Sequence, residues 1–527
     1  MTSRINRDSL EARGSTPFAV AEVDFVISQD PWFRPVDLQL APDGSLYVAD
    51  FYNRIIGHVE VPLDHPGRDK LRGRIWRIRY RGPGAGARSS GRVRLAGARI
   101  EELLAALGDP NLKVRMLAAD ELVDRVGRTA VEPVRRLVES REAKPTQKSH
   151  GLWVLARLRA LEPSLLAAAA ADPDPSVRVH AFRILAQEAA WKDSERALAL
   201  AGLADHDPRV ERAAAGAARL HPDASQVRPL VDLRARIPPA DTHLLHATRL
   251  ALRDQLRSPG VLESAARERW PERAARALSD AAVGVDGAQA ALFLLEQIEG
   301  SGVERSSLPR SVTHAARFLP GDRLDDLVRA AQSIAPDDAG LQAELWRSFE
   351  QGITERALAL PARARAWGES LVPRLLAGAG EEDWRHAFAL AGSLRWRGAE
   401  ARLVKAFSSR ELSVATRAAA ADALVAIDPR RYVPLVGAAL RGGGEPFELQ
   451  TRALAALRRV ETPAATAELV AALGVAPARL QIRLAASLVQ REDSARASWT
   501  RWSKARPRAS YCCGPGSRAG SRACRRT

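Results

Sequence analysis

From about residue 97 to about residue 490, apolar residues recur at the three- and four-residue spacing of amphipathic helices, in runs broken by Pro, Gly and Asp. Residues 17 to 80 follow a different rhythm, with short apolar alternations separated by turn residues, and this stretch reads as β-structure. Val36 to Leu40 predicts one strand and Ser45 to Ala49 the returning one. Ala41-Pro42-Asp43-Gly44 between them predicts a tight turn that uses Gly for a positive φ. In Arg74-Ile75-Trp76-Arg77-Ile78-Arg79-Tyr80, basic and apolar residues alternate, as in a strand with one face packed and one solvated. Three or four strands in one sheet are marginal in water, so these faces read as built to pack against neighbouring sheets that this chain does not contain.

The helical part repeats internally. Asp109-Pro110-Asn111-Leu112-Lys113-Val114-Arg115 aligns with Asp172-Pro173-Asp174-Pro175-Ser176-Val177-Arg178, and with Asp205-His206-Asp207-Pro208-Arg209-Val210-Glu211 thirty-three residues further on. Ser409-Arg410-Glu411-Leu412-Ser413-Val414 is a weaker copy without the Pro, followed by an Ala-rich helix from Ala415 to Ala426. Each copy reads as a helix start: Asp caps the free amides, Pro is tolerated in the first turn, and Val points inward. Small residues such as Ala118, Ala119, Ala181, Ala213, Ala214 and Ala215 allow paired helices to approach closely. Between about 225 and 400 the repeats are harder to phase, although helical runs such as Ala288 to Ile298 and Leu341 to Gly352 persist. The fold class predicted is mostly α, a HEAT-like α-solenoid preceded by a small antiparallel β-segment.

Composition agrees: Met occurs twice and aromatics make up 5%, which favours packed helices over sheets. The net charge of +16 would point to nucleic acid or an anionic surface if it were spread over one face. Nine of those charges, however, lie between Arg496 and Arg526 with no acidic residue among them. The remainder alternates with acidic residues along helices, which argues against nucleic acid as a partner. No apolar run is long enough for a transmembrane segment, and the N-terminus lacks the apolar core of a signal peptide, which leaves localisation open. All three cysteines, Cys512, Cys513 and Cys524, fall in the basic tail, so no thiol-based site is expected before it.

The run Asp30-Pro31-Trp32-Phe33-Arg34-Pro35-Val36-Asp37, followed by Ala41-Pro42-Asp43-Gly44-Ser45-Leu46-Tyr47-Val48-Ala49-Asp50-Phe51-Tyr52-Asn53, resembles the closing blade of a β-propeller. With Ile55-Ile56-Gly57-His58, Asp64-His65-Pro66-Gly67-Arg68-Asp69 and Gly73-Arg74-Ile75-Trp76-Arg77-Ile78, residues 15 to 82 resemble the planctomycete-type membrane-bound dehydrogenase family. That resemblance implies an exported, periplasmic or cell-envelope architecture: a quinoprotein-like propeller, HEAT repeats, and a cytochrome c domain with Cys-x-x-Cys-His. It implies a PQQ-like quinone and haem c as cofactors of intact relatives. The present chain departs from the pattern, because one blade cannot assemble a propeller's central site and no Cys-x-x-Cys-His occurs. No cofactor is therefore expected as encoded. The partners expected are a protein, or the missing propeller and haem domains.

Candidate chemistry is sparse. Asp241, His243 and His246 have a spacing that superficially resembles a metal-binding cluster, with His243 and His246 able to share one helix face, but no further ligand completes the set, and the residues read as an ordinary helix start rather than a metal site. His58, Asp64 and His65 could face a propeller channel or simply bond a turn. Arg34, with Asp37 nearby, could meet an anionic cofactor such as a quinone carboxylate, or form a surface corner. The Gly-rich stretches Gly82-Pro83-Gly84-Ala85-Gly86 and Gly442-Gly443-Gly444 lack the Gly-Lys-Ser/Thr ending of a phosphate loop and read as linkers. The organisation expected is a partial propeller over 1–82, a linker over 83–96, helical repeats over 97–490, and a basic tail over 491–527. The tail reads either as disordered chain or as an out-of-frame translation. Scaffold fragment of a dehydrogenase-like protein, stand-alone interaction scaffold and nucleic-acid-binding solenoid are the three functional readings, and none includes a complete catalytic site.

Overall fold

The computed structural model describes residues 3–55, 61–82, 94–441 and 444–489. His58, the Gly82–Gly86 linker beyond its first residue, Gly442-Gly443 and the cysteine-bearing tail lie outside the described residues. The chain divides into two compact units, residues 1–289 and 290–527.

Among the described residues the first unit begins with seven short strands: β1 (Arg4–Ile5), β2 (Asp8–Arg13), β3 (Thr16–Ala21), β4 (Val26–Ile27), β5 (Pro35–Leu40), β6 (Leu46–Asp50) and β7 (Arg74–Ile78). They form three small antiparallel sheets, ordered β1-β4, β2-β3 and β5-β6-β7, rather than the single sheet expected. The predicted hairpin is present. The Ala41 amide donates to the Ser45 carbonyl at 2.8 Å, and Gly44 supplies a φ of 78° that a side chain would resist. A bulge between Pro35 and Asp37 interrupts the β5-β6 register and leaves Val36 exposed.

The unexpected element is the hairpin β2-β3. Its strands pair in register from Asp8 opposite Ala21 to Arg13 opposite Thr16, around a turn at Gly14-Ser15. Apolar alternation in Asp8-Ser9-Leu10-Glu11-Ala12-Arg13 is too weak to announce a strand, and every one of those residues is exposed. A small core of Ile5, Phe33 and Val48, with Val26, Leu46 and Ile78 against it, joins β1-β4 to one face of β5-β6-β7.

The rest of the first unit is built from helix pairs in two layers. One layer stacks Leu112–Asp120, Pro145–Arg157, Pro175–Leu185, Pro208–Leu220 and Thr242–Leu256 side by side. The other includes Val131–Glu139, Pro163–Ala170, Asp193–Leu203 and Val227–Arg236. Val114, Val177 and Val210 are all buried, as the repeat predicts. Ala118, Ala181, Ala214 and Ala215 are buried too, whereas Ala213 is only half-buried.

In the second unit the same pairing recurs through Leu308–Phe318, Ala339–Glu355, Glu381–Leu394, Val414–Ile427, Phe447–Arg458 and Ala478–Val489, each followed or preceded by a partner of the other layer. One continuous apolar core runs from Ala291 to Leu488. The stretch that resists phasing is largely helical, and its irregularity has visible sources. Val261–Arg267 is an additional short helix, and Pro373 sits inside the helix Ala362–Ala377. No helix among the described residues is long and apolar enough to cross a membrane.

Candidate functional site

The repeat motif builds its loop in two tiers. The first Asp of each copy accepts a hydrogen bond from the amide two residues on: Asn111 to Asp109 at 2.7 Å, Asp174 to Asp172 at 2.9 Å, and Asp207 to Asp205 at 2.8 Å. The third residue then caps the helix, with Asn111, Asp174 and Asp207 accepting from Lys113, Ser176 and Arg209. Four residues after the cap, Arg178 is buried and donates through Nε and Nη2 to both Asp205 oxygens, at 2.9 and 2.8 Å, linking one repeat to the next. Its Nη1 also satisfies the carbonyls of Asp172 and Pro173.

This arginine corrects the phase of the weak fourth copy. Aligned from Ser409, that copy would be capped by its third residue, Glu411, but the residue that caps the helix is Ser413. Arg417 stands four residues beyond that cap, the place Arg178 takes after Asp174. Arg417 is buried, donates to the Phe407 carbonyl at 2.9 Å, and pairs with Glu445 at 2.8 Å. Matching Val to Val displaces the alignment; matching cap to Arg restores it.

Two helix starts in the first unit hold the β-segment. At one, Asn111 Nδ2 donates to the carbonyls of Ala41 and Pro42, at 2.8 and 3.2 Å, so the β5-β6 turn rests on the start of Leu112–Asp120. At the other, Asp241 caps Thr242–Leu256 and is 1% exposed. Its carboxylate accepts from the Ser15 amide at 2.5 Å and from the Ser15 and Thr16 hydroxyls at 2.8 Å each. Thr16 Oγ1 in turn accepts from the His243 amide at 2.8 Å, and Arg212 Nη1 donates to the Ser15 carbonyl at 2.7 Å. A Cβ on Gly14, which has a φ of 64°, would overlap the Asp241 carboxylate, so glycine is required for the hairpin tip to close on the cap. Burial pushes the Asp241 carboxyl up, but the hydrogen bonds from Ser15 and Thr16 outweigh it and hold the group below its ordinary value.

The three residues with metal-ligand spacing are thereby separated in role. Asp241 is committed to the hairpin, His243 places Nδ1 3.1 Å from Arg212 Nη1, and His246 is exposed. Among the described residues, no group of three His, Cys, Asp or Glu side chains converges as metal ligands. Arg34 turns its guanidinium to Ser3 Oγ, at 2.9 Å, and to the Phe33 carbonyl, at 2.8 Å. The Asp37 carboxylate accepts from its neighbours Leu38 and Gln39, and His65 accepts from the Gly67 amide at 3.0 Å. Arg34 is thus engaged, through Nη1, inside its own segment, and the sequence contains no Cys-x-x-Cys-His.

Surface chemistry divides the β-segment from the helices. Most of the large apolar side chains left in solvent among the described residues lie between positions 10 and 80, including Val36 at 66%, Ile75 at 76% and Trp76 at 46% exposed. Val36, Phe51 and Ile75 line an open apolar hollow of about 470 Å³ with Ala49 and Gly73.

Residues 2–82 match the model of a family described as a domain of unknown function (DUF7133). No curated protein matches the sequence. Among solved structures, a multiply substituted mutant of Kap121p is similar at a TM-score of 0.51 and 13% identity, over 77% of this chain and 54% of that one. Kap121p bound to Pho4p is similar at 0.49 and 14%, over 80% and 55%. The karyopherin Kap121p bound to the extreme C-terminus of the protein phosphatase Cdc14p is similar at 0.49 and 13%, over 77% and 54%. The likeness is one of fold: this chain is a HEAT-like helical-repeat solenoid. It spans about half the length of the solved chains it resembles.

Proposed function

We propose that the protein is a repeat scaffold that anchors a β-segment made to be completed by further β-structure. The observation that carries this reading is the outward apolar surface of β5-β6-β7, where Val36 and Ile75 remain exposed beside Ala49 and Phe51 while the same segment is pinned at Asn111 and Asp241. A peripheral ornament would have no reason to keep such a surface apolar while committing buried hydrogen bonds to its position. The resemblance of residues 15 to 82 to a closing propeller blade names the kind of completion: a propeller of the membrane-bound dehydrogenase type, with the helical repeats fixing its position relative to other domains. Catalysis would then reside in groups held elsewhere.

The test is reconstitution. A propeller polypeptide from that dehydrogenase family, lacking its final blade, is mixed with the full chain and followed by size-exclusion chromatography with light scattering. A one-to-one complex that is lost in Ile75→Lys and Val36→Lys supports the reading. Absence of association, or association indifferent to both substitutions, rejects it.

A further inference from the structure

A second surface, separate from the β-segment's apolar face, lies on the open side of the helix layer in the first unit. His150 and Trp153 on Pro145–Arg157, His180 and Arg183 on Pro175–Leu185, and Arg212 on Pro208–Leu220 follow one another across three adjacent helices. Trp153 Nε1 donates to His180 Nδ1 at 2.9 Å, with the rings edge to face at 6.3 Å, so an aromatic step borders the cations. Burial, with Arg183 and His150 close by, lowers His180 to about 4; burial, with Arg183 again, lowers Arg212 against the opposing pull of the Asp241 carboxylate. Burial, with Arg115 nearby, lowers His150 as well. The imidazoles are therefore neutral at physiological pH, and the charge of this face rests on Arg183 and Arg212, with Arg115 beside His150 at its edge.

Elsewhere on the same layer several arginines are neutralised, Arg157 by Asp120, Arg219 by Asp254 and Arg249 by Asp280, whereas Arg115 donates to His150 and to the Asp109 and Pro110 carbonyls. Among the described residues, Arg183 has no carboxylate within ion-pair distance, and Arg212 donates to a carbonyl and stands beside a histidine. On the same helix as Arg212, Ala213 is half-buried and a Cβ on Gly216 would meet nothing, so little rises above the helix there. Adjacent helices in such a layer lie about 8–10 Å apart, a distance that an extended peptide covers in roughly three residues.

We infer that Trp153, His180, Arg183 and Arg212 form a docking surface for an extended peptide bearing two acidic side chains two to four residues apart. The scale of the charge selects this occupant over nucleic acid. A single strand crossing the same three helices, on the order of 20 Å, would present about six phosphates. This face offers Arg183 and Arg212, with Arg115 at its edge beside His150, as guanidinium groups that no carboxylate among the described residues neutralises by direct contact.

The experiment uses the full chain and a peptide with two Glu residues flanking a benzophenone group, and the cross-links are mapped by mass spectrometry. Mapping separates this face from the basic sequence at 496–527, which attracts any acidic peptide. We expect cross-links on Pro145–Arg157 and Pro175–Leu185, reduced about tenfold by Arg183→Glu and largely restored by Arg183→Lys, as for removal of a cation from a charge-complementary contact. Cross-links confined to 496–527, or unaffected by Arg183→Glu, overturn the inference. So does displacement of the peptide from these helices by a single-stranded oligonucleotide, which would mark the face as a nucleic-acid interface.

Discussion

The β-segment and the helical repeats manage their apolar residues in opposite ways. In the second unit, Trp346 is fully buried and donates its indole N–H to the Ala364 carbonyl at 2.7 Å. In the β-segment, Trp76 is 46% exposed, although its indole also has a partner, Asp50 at 2.9 Å. Both indoles are satisfied, and only one ring is covered. A repeat buries its face against the next repeat, so the solenoid supplies its own neighbours. Three small sheets cannot do so, and what fixes two of them to the helices is polar: the β5-β6 turn carbonyls on Asn111 and the β2-β3 hydroxyls on Asp241.

Replacing each tryptophan breaks or sharpens that contrast most directly. Trp346→Ala should cost about 3–5 kcal/mol in urea unfolding, as for other large core truncations, whereas Trp76→Ala should cost about 1 kcal/mol or less. Equal costs would mean that the Trp76 ring is covered as fully as that of Trp346. Next in size is the inter-repeat link: Arg178→Ala leaves Asp205 without its buried partner and should destabilise by about 3 kcal/mol, measured the same way.

Asp241→Ala removes a helix cap and the hairpin's anchor together, for a loss of about 2–3 kcal/mol. It should also expose the Arg13-Gly14 bond to limited proteolysis. Asp207→Ala, which removes a cap alone, should cost about 1 kcal/mol and leave the hairpin protected. If both variants leave it protected, the anchor is not at Asp241.

His180 supplies a smaller, pH-dependent effect. Its folded-state value of about 4 lies below the ordinary value of 6.5, so the unfolded chain binds the proton more readily. Its contribution is complete above about pH 6.5 and is lost as pH falls through 4. The half-buried ring limits this to roughly 1–2 kcal/mol, and the difference between wild type and His180→Gln in stability measured across that range reports it. Smallest of all, Ile75→Thr should change stability by no more than about 0.5 kcal/mol while lowering binding of an apolar dye.

Much of the molecule is legible in the chain. The helix starts at Asp174 and Asp207, the inward Val177 and Val210, and the Ala41–Gly44 turn all follow from short-range rules, because caps, first-turn prolines and positive-φ glycines act within a few residues. The Ser413 start is misphased by those same rules: its strongest mark is Arg417, whose partners Phe407 and Glu445 are distant in sequence. Asp241 resembles a metal ligand in the sequence because its spacing to His243 and His246 is visible there, while its real partners are not.

The sequence by itself determined the alternation of helices, the small-residue packing that repeats require, and the apolar character of the β-segment. Each is encoded by periodicity within a window of a few turns or strands. Only the tertiary structure decided where that segment is anchored. Ser15 and Thr16 reach Asp241 across 226 and 225 residues, and a carboxylate's choice between a metal, an arginine and a pair of hydroxyls depends on which groups the folded chain brings to it.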